Sequence, residues 1–121
     1  MIDRDCIFCK IAGGDIPSST VYEDEQFRVL LDLSPATKGH ALILPKQHYA
    51  NIFEIDENIL RDLIVLAKKV ASAMKETLNC DGVNIVQNNG EAAGQTVFHF
   101  HMHIIPRYKD DGQVIGWEPH T

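Results

Sequence analysis

The chain has no long apolar run. Stretches such as residues 41–44 and 29–31 fall far short of the roughly 20 apolar residues that a membrane-spanning helix requires. No membrane partner is therefore expected. Positive charge is also scarce: 11 Lys and Arg against 17 Asp and Glu leave a formal net charge of −6. Such a balance supplies no field to hold a polyanion along the surface, so nucleic acid is not an expected partner. Because distant charge is screened over about 8 to 10 Å, a few local donors would have to grip any phosphate. Asp3, Arg4 and Asp5 break up what a secretory signal would keep apolar, and the expected location is the cytoplasm. Cysteine is confined to Cys6, Cys9 and Cys80. An odd number, two of them close together, does not make a disulfide framework, which leaves metal binding or burial.

What is present is enough for a folded unit. Hydrophobic residues at 45% and charged ones at 23% lie near the globular average and exclude a disordered, collagenous or low-complexity chain. A chain of 121 residues can bury roughly two-thirds of its unfolded surface around one core. We expect one domain over 1–121, with a core over 1–106, a polar tail over 107–121 in which Trp117 stands out, and no internal repeat.

Residues 6–12 suit a short helix with Ile7, Phe8 and Ile11 on one face, ended by Gly13 and Gly14. After a break at 17–19, residues 21–23 and 26–31 read as a hairpin turning at Asp24 and Glu25. Residues 33–38 form a loop through Ser34 and Pro35 to Gly39, and 40–44 is an apolar strand that Pro45 stops. Asp56 is the expected N-cap, with Glu57 in the first turn, of a helix carrying Ile59, Leu60, Leu63, Ile64, Ala67, Val70, Ala71, Met74 and Leu78 at spacings of three and four. Lys68, Lys69, Lys75 and Glu76 fall on its solvated side. Gly82 opens a strand over 83–87, and the glycine-bearing loop 90–94 leads to a last strand over 97–105 that Pro106 stops. Five strands and one long helix imply an α+β fold, an antiparallel sheet packed on the helix.

Three of six histidines alternate with apolar residues in His99-Phe100-His101-Met102-His103. A period of two puts the imidazoles on one strand face and Phe100, Met102 and Ile104 on the other. Three in register point to metal binding or to proton and nucleophile chemistry. The preceding segment, Asn88 through Gly94, Gln95 and Thr96, offers small residues, an amide and a hydroxyl. Such a turn can cradle an oxyanion, and it can equally be a plain hairpin connection. Cys6-x-x-Cys9 has three readings: two buried small residues, a redox dithiol, or half of a zinc shell. The redox reading lacks its preceding strand and βαβ context; two imidazoles would complete a Cys₂His₂ set.

Through Cys6-Ile7-Phe8-Cys9-Lys10-Ile11, Asp32-Leu33-Ser34-Pro35, Gly39-His40-Ala41-Leu42-Ile43-Leu44-Pro45-Lys46 and Gly94-Gln95-Thr96-Val97-Phe98-His99-Phe100-His101-Met102-His103, the sequence resembles the histidine triad (HIT) family. The resemblance implies a homodimeric nucleotide hydrolase in which His101 attacks the α-phosphorus of a purine nucleoside phosphoramidate and forms a nucleotidyl-histidine that water cleaves. It further implies that Asp32 binds the ribose hydroxyls, Asn88 fixes the sugar and phosphate region, and Phe8 and Leu31 line the base pocket. Gln95, Thr96 and His103 would bind phosphate, and His40 would help set the protonation of the nucleophile. His103 is the first expectation for the proton donor, with Thr96 or His40 able to share that role. Relatives that transfer nucleotides to hexose phosphates carry Gln at the position of His103, which favours hydrolysis. The zinc-bearing branch points to Cys6, Cys9, His48 and His99 as ligands of a structural Zn²⁺ and leaves His101 unligated, its Nδ1–H given to the backbone carbonyl of His99. A dinucleoside polyphosphate hydrolase and a non-enzymatic zinc- or nucleotide-binding module are the alternatives. Cys80 and His120 read as structural and tail residues.

Overall fold

The computed structural model describes residues 6–14, 18–117 and 119. Helix α1 (Ile7–Ala12) is capped by the Cys6 sulfur, which accepts from the Cys9 amide. Strands β1 (Thr20–Glu23) and β2 (Phe27–Leu31) form the hairpin, with Asp24 accepting from the Gln26 and Phe27 amides at the turn. Strand β3 (Ala41–Pro45) is followed by the long helix α2 (Glu57–Leu78), then β4 (Gly82–Val86), a single 3₁₀ turn (Glu91–Ala93) and β5 (Met102–Arg107). All five strands pair antiparallel in the order β1-β2-β3-β5-β4. The α+β architecture read from the sequence, with one long and one short helix, is therefore the observed one.

Helix α2 begins where its composition says it should, because Asp56 accepts from the Asn58 and Ile59 amides that would otherwise lack partners. It ends at Asn79 in the left-handed conformation. Its Leu63, Ala67 and Met74 are buried against Phe27, Val29, Ala41, Ile43, Phe100, Met102 and Ile104. The other sheet face carries a smaller cluster of Ile11, Ala12, Leu30, Leu42 and Leu44, with Phe8 of α1 packed on it. Strand β3 is covered on both faces and buried along its whole length. Cys80 packs on the α2 cluster, the structural place expected of it.

The two prolines behave differently from expectation. Pro106 lies inside β5, opposite Val83 of β4. Its carbonyl accepts from the Thr37 hydroxyl on the side away from β4, and its missing N–H belongs to that same side, so the β4 ladder loses no bond. Pro45 is the last residue of β3, and the register of Ile43 with Met102 carried on would set it opposite Phe100. Proline has no N–H to give there. The Phe100 amide instead donates to Tyr49 (2.6 Å), and β5 starts at Met102, not near 97. Residues 97–101 thus lie outside the ladder, with the chain bending at 97–99.

Past the proline expected to stop it, β5 runs on to Arg107. Arg107 completes β5, bonds Asn84, and holds Asp111 through two nitrogens, while the Tyr108 hydroxyl donates to Lys38. Beyond that turn Val114 and Trp117 are exposed, Trp117 at 88%. His120 lies outside the described residues. Among these residues no helix is long and apolar enough to cross a membrane.

Candidate active site and metal centre

Although His99 and His101 precede the ladder, the alternation persists. Phe100, Met102 and Ile104 enter the α2 core, and the three imidazoles lie on the α1 side. Two groups result, divided at His101.

The first contains Cys6, Cys9, His48 and His99, whose ligating atoms all lie within 4.8 Å of one another. Cys6 Sγ is 3.4 Å and Cys9 Sγ 3.2 Å from His99 Nδ1, and Cys9 Sγ is 3.2 Å from His48 Nδ1. A tetrahedral zinc ion with ordinary Zn–S and Zn–N bonds separates sulfur and nitrogen by about 3.6 Å, so the four donors fit that ion with a small expansion. The ring of His99 is already oriented for ligation, since its Nε2–H donates to the Pro45 carbonyl (2.7 Å) and leaves the Nδ1 lone pair facing the sulfurs. Burial holds the His99 pKa down at about 4 and keeps the ring neutral.

The second group contains His101, His103, His40 and Asp32. Nδ1–H of His101 donates to the His99 carbonyl (2.7 Å), the bond anticipated from the sequence. Nε2 of His101 therefore carries the lone pair. The Ala36 amide donates to Nδ1 of His40 (3.0 Å), so the proton of neutral His40 sits on Nε2, which lies 2.9 Å from Nδ1 of His103. His103 accepts there and carries its own proton on Nε2. Backbone groups thus set the tautomers of His101 and His40, and the His40 ring sets that of His103. Asp32 Oδ2 is 3.6 Å from His40 Nε2, and its Oδ1 accepts from the Ser34 amide. Burial lowers the pKa of His40 and His101, and of His103 to about 4, the charge on Asp32 opposing it in each. A cationic His103, the form that could hand a proton to a leaving group, is therefore not the resting state. Desolvation of the cation outweighs the carboxylate. His40 also pairs with His103, not with the nucleophile candidate.

A cavity of about 440 Å³ opens onto this group, lined by Phe8, Asp32, Asn88, Gly94, Thr96, His101 and His103 together with Ile11, Leu30, Leu33, Leu42 and Val97. Phe8 sets its ring perpendicular to His101 at 5.0 Å. Two expected lining residues lie elsewhere. Leu31 borders a larger groove of about 880 Å³ between the hairpin and α2, on the opposite sheet face and without a histidine. Neighbours on a strand alternate faces, so Leu30 occupies the position expected of Leu31; period two at β2 contained that answer. Gln95 is buried and committed: Nε2 donates to the Ala50 and Val97 carbonyls, and Oε1 accepts from the Gly90 amide. It organises the loop and has no donor left for phosphate. Four amides of the loop are committed as well. Those of Ala93, Gly94 and Gln95 bond within it, and Gly90 bonds Gln95. Thr96, Asn88 and His103 are the side chains at the cavity that can donate.

A family model described as the HIT domain matches residues 13–110. The chain is 49% identical over 119 residues to protein hit of Bacillus subtilis, covering 98% of this chain and 82% of the relative. It is 43% identical over 117 residues to adenosine 5'-monophosphoramidase of Saccharomyces cerevisiae, covering 96% and 72%. The crystal structure of a Zn-bound histidine triad family protein from Mycobacterium smegmatis superimposes with a TM-score of 0.87 at 38% identity, covering 96% of this chain and 84% of that one. Three alternating imidazoles leading into β5, two of them on a small cavity, and a family match over most of the length lead to one conclusion: the chain belongs to the histidine triad family.

Proposed function

We propose that the protein is a nucleotide hydrolase that cleaves purine nucleoside phosphoramidates at the α-phosphorus through a covalent intermediate on His101. The observation that carries this reading is the bond from His101 Nδ1 to the His99 carbonyl, which leaves Nε2 deprotonated and beside the cavity. Burial keeps that ring neutral below the ordinary histidine range, so no activating base is needed. The monophosphoramidase activity named for the yeast relative supports the substrate class.

In the proposed reaction the base packs between Phe8 and the aliphatic side chains of Leu30 and Leu42, Asp32 accepts from the ribose hydroxyls, and Asn88 and Thr96 hold the sugar–phosphate region. The entering phosphate anion offsets the desolvation that keeps His103 neutral, and His103 takes up a proton on Nδ1 as substrate binds, giving up its bond from His40 Nε2–H, which turns to Asp32 Oδ2. Nε2 of His101 attacks phosphorus and the bond to the amine breaks. The amine leaves with the proton from His103 Nε2. Water then attacks the nucleotidyl-histidine, returns a proton to His103 and releases the nucleoside monophosphate with His101 restored. A zinc ion held by Cys6, Cys9, His48 and His99 would be structural, joining the N-terminal helix to the sheet, with no part in the bond changes. Its ligand set omits His101, which weighs against the binding-module alternative.

We further propose a homodimer. Ile64 on α2 and Ile85 on the edge strand β4 are exposed beside one shared groove, apolar surface that a second copy would cover. Sedimentation equilibrium at the mass of two chains checks it, and a single-chain mass contradicts it. For the reaction, His101→Ala is expected to lower phosphoramidate turnover at least 1,000-fold, on the order of what a nucleophile supplies, with nucleotide affinity kept within a few-fold. Turnover retained in that variant would remove His101 from the role.

A further inference from the structure

His99 belongs to both groups of side chains. Its Nδ1 faces Cys6 and Cys9 at 3.4 and 3.2 Å, its Nε2 donates to the Pro45 carbonyl, and its own carbonyl accepts from His101 Nδ1 at 2.7 Å. That carbonyl is one end of the peptide plane whose other end, the Phe100 N–H, donates to Tyr49. Tyr49 follows His48, the remaining member of the Cys/His cluster. The plane that orients the candidate nucleophile is therefore held from both sides by chain that carries a donor of the cluster: the His99 ring on one side and the His48 segment on the other.

From this we infer that His99 is a positioning residue through which metal occupancy sets the tautomer of His101. The inference rests on the zinc reading and the nucleophile reading given above. With a metal in the cluster, His48 and His99 are fixed relative to each other, and the Tyr49–Phe100 bond and the His99 carbonyl are fixed with them. With the metal withdrawn, the Phe100–Tyr49 and His99–Pro45 bonds still join those segments, but the ion that locks the His99 ring to His48 and the two sulfurs is gone, and the peptide plane is held less firmly. The carbonyl then no longer dictates where the His101 proton resides, and the Nε2–H form, which has no lone pair to offer phosphorus, becomes populated. Cys6 and Cys9 would act on the chemistry without touching substrate.

Two measurements test this, neither of them turnover. In protein with ¹⁵N-labelled histidine rings, the His101 nitrogens, assigned by their loss in His101→Asn, should report a single Nδ1–H tautomer when zinc is bound. After chelation they should move toward averaged shifts. A folded, metal-free protein with unchanged His101 shifts overturns the inference. The second measurement uses the loaded protein and needs no folded metal-free state. Because coupling is reciprocal, removing the His101 donor must weaken zinc binding. Against a chromophoric chelator, His101→Ala should bind zinc about three- to tenfold more weakly than the unaltered chain, the worth of one hydrogen bond. His101→Asn, whose amide nitrogen can occupy the Nδ1 position, should stay within about twofold. Equal affinity in all three overturns the coupling and leaves the zinc reading standing. A chain that takes up no zinc overturns both.

Discussion

At the scale of single residues, burial has two effects on the same imidazoles: it keeps His101 and His103 neutral, and it lets a single bond, to the His99 carbonyl for one and from His40 for the other, dictate which nitrogen holds the proton. The cost appears in acid. His103 protonates near 6.5 in the unfolded chain and only near about 4 when folded. Between those values the unfolded chain binds more protons, so this contribution to stability is complete above pH 6.5 and is lost as the pH falls toward 4. Denaturant titrations should show a loss on the order of 2–3 kcal/mol over that window, and His103→Gln should flatten it. An unchanged slope in the variant would mean that His103 is not the desolvated group. The alternation of His99, His101 and His103 was legible in the sequence because period two is a local property of extended chain. The partner of His40 was not, since it is decided by the pairing of β3 with β5, 63 residues apart.

At the scale of elements, the loop before β3 shows how backbone conformation places the site. Gly39 has φ +93, and a Cβ there would lie 2.5 Å from Leu78 Cδ1, at the end of α2. Gly39→Ala therefore meets both strain and overlap immediately before His40. A destabilisation of about 2 kcal/mol is expected, read as a lower denaturation midpoint. Turnover per folded molecule should also fall as His40 and the Ala36 amide move apart. Full stability in that variant would contradict the packing described between the β3 entry and α2. Helix α2 was legible to its first and last residues because its cap and its apolar spacing agree. The start of β5 was not: Pro45, far away in sequence, denies a donor to Phe100 and ends the ladder early. Leu31 and Leu30 were exchanged for a simpler reason, a strand register one residue off, which swaps faces. Gln95 carries the residue type of a phosphate donor, and only the folded loop shows its donors already spent.

At the scale of the whole molecule, α1 makes few contacts with the sheet beyond Phe8, Ile11 and Ala12, and yet it contributes Phe8 to the cavity. A zinc ion at Cys6, Cys9, His48 and His99 would supply the missing attachment. Protein prepared without chelators is expected to carry one zinc per chain by elemental analysis, and Cys6→Ser to lose most of it along with several degrees of melting temperature. Metal-free native protein of equal stability would contradict this. The family and the sheet were legible from the sequence, because the motifs lie in short local blocks. The exposed tail with Val114 and Trp117, and the apolar surface at Ile64 and Ile85, concern what lies outside one chain.

Protein mixed with a purine nucleoside phosphoramidate, quenched in acid-free denaturant within one turnover and digested for mass spectrometry, probes the bond on which the rest depends. The peptide bearing His101 should gain the mass of one nucleotidyl group, and the gain should disappear in His101→Ala. Turnover with no such adduct at any quench time, or an adduct on another residue, would contradict the account.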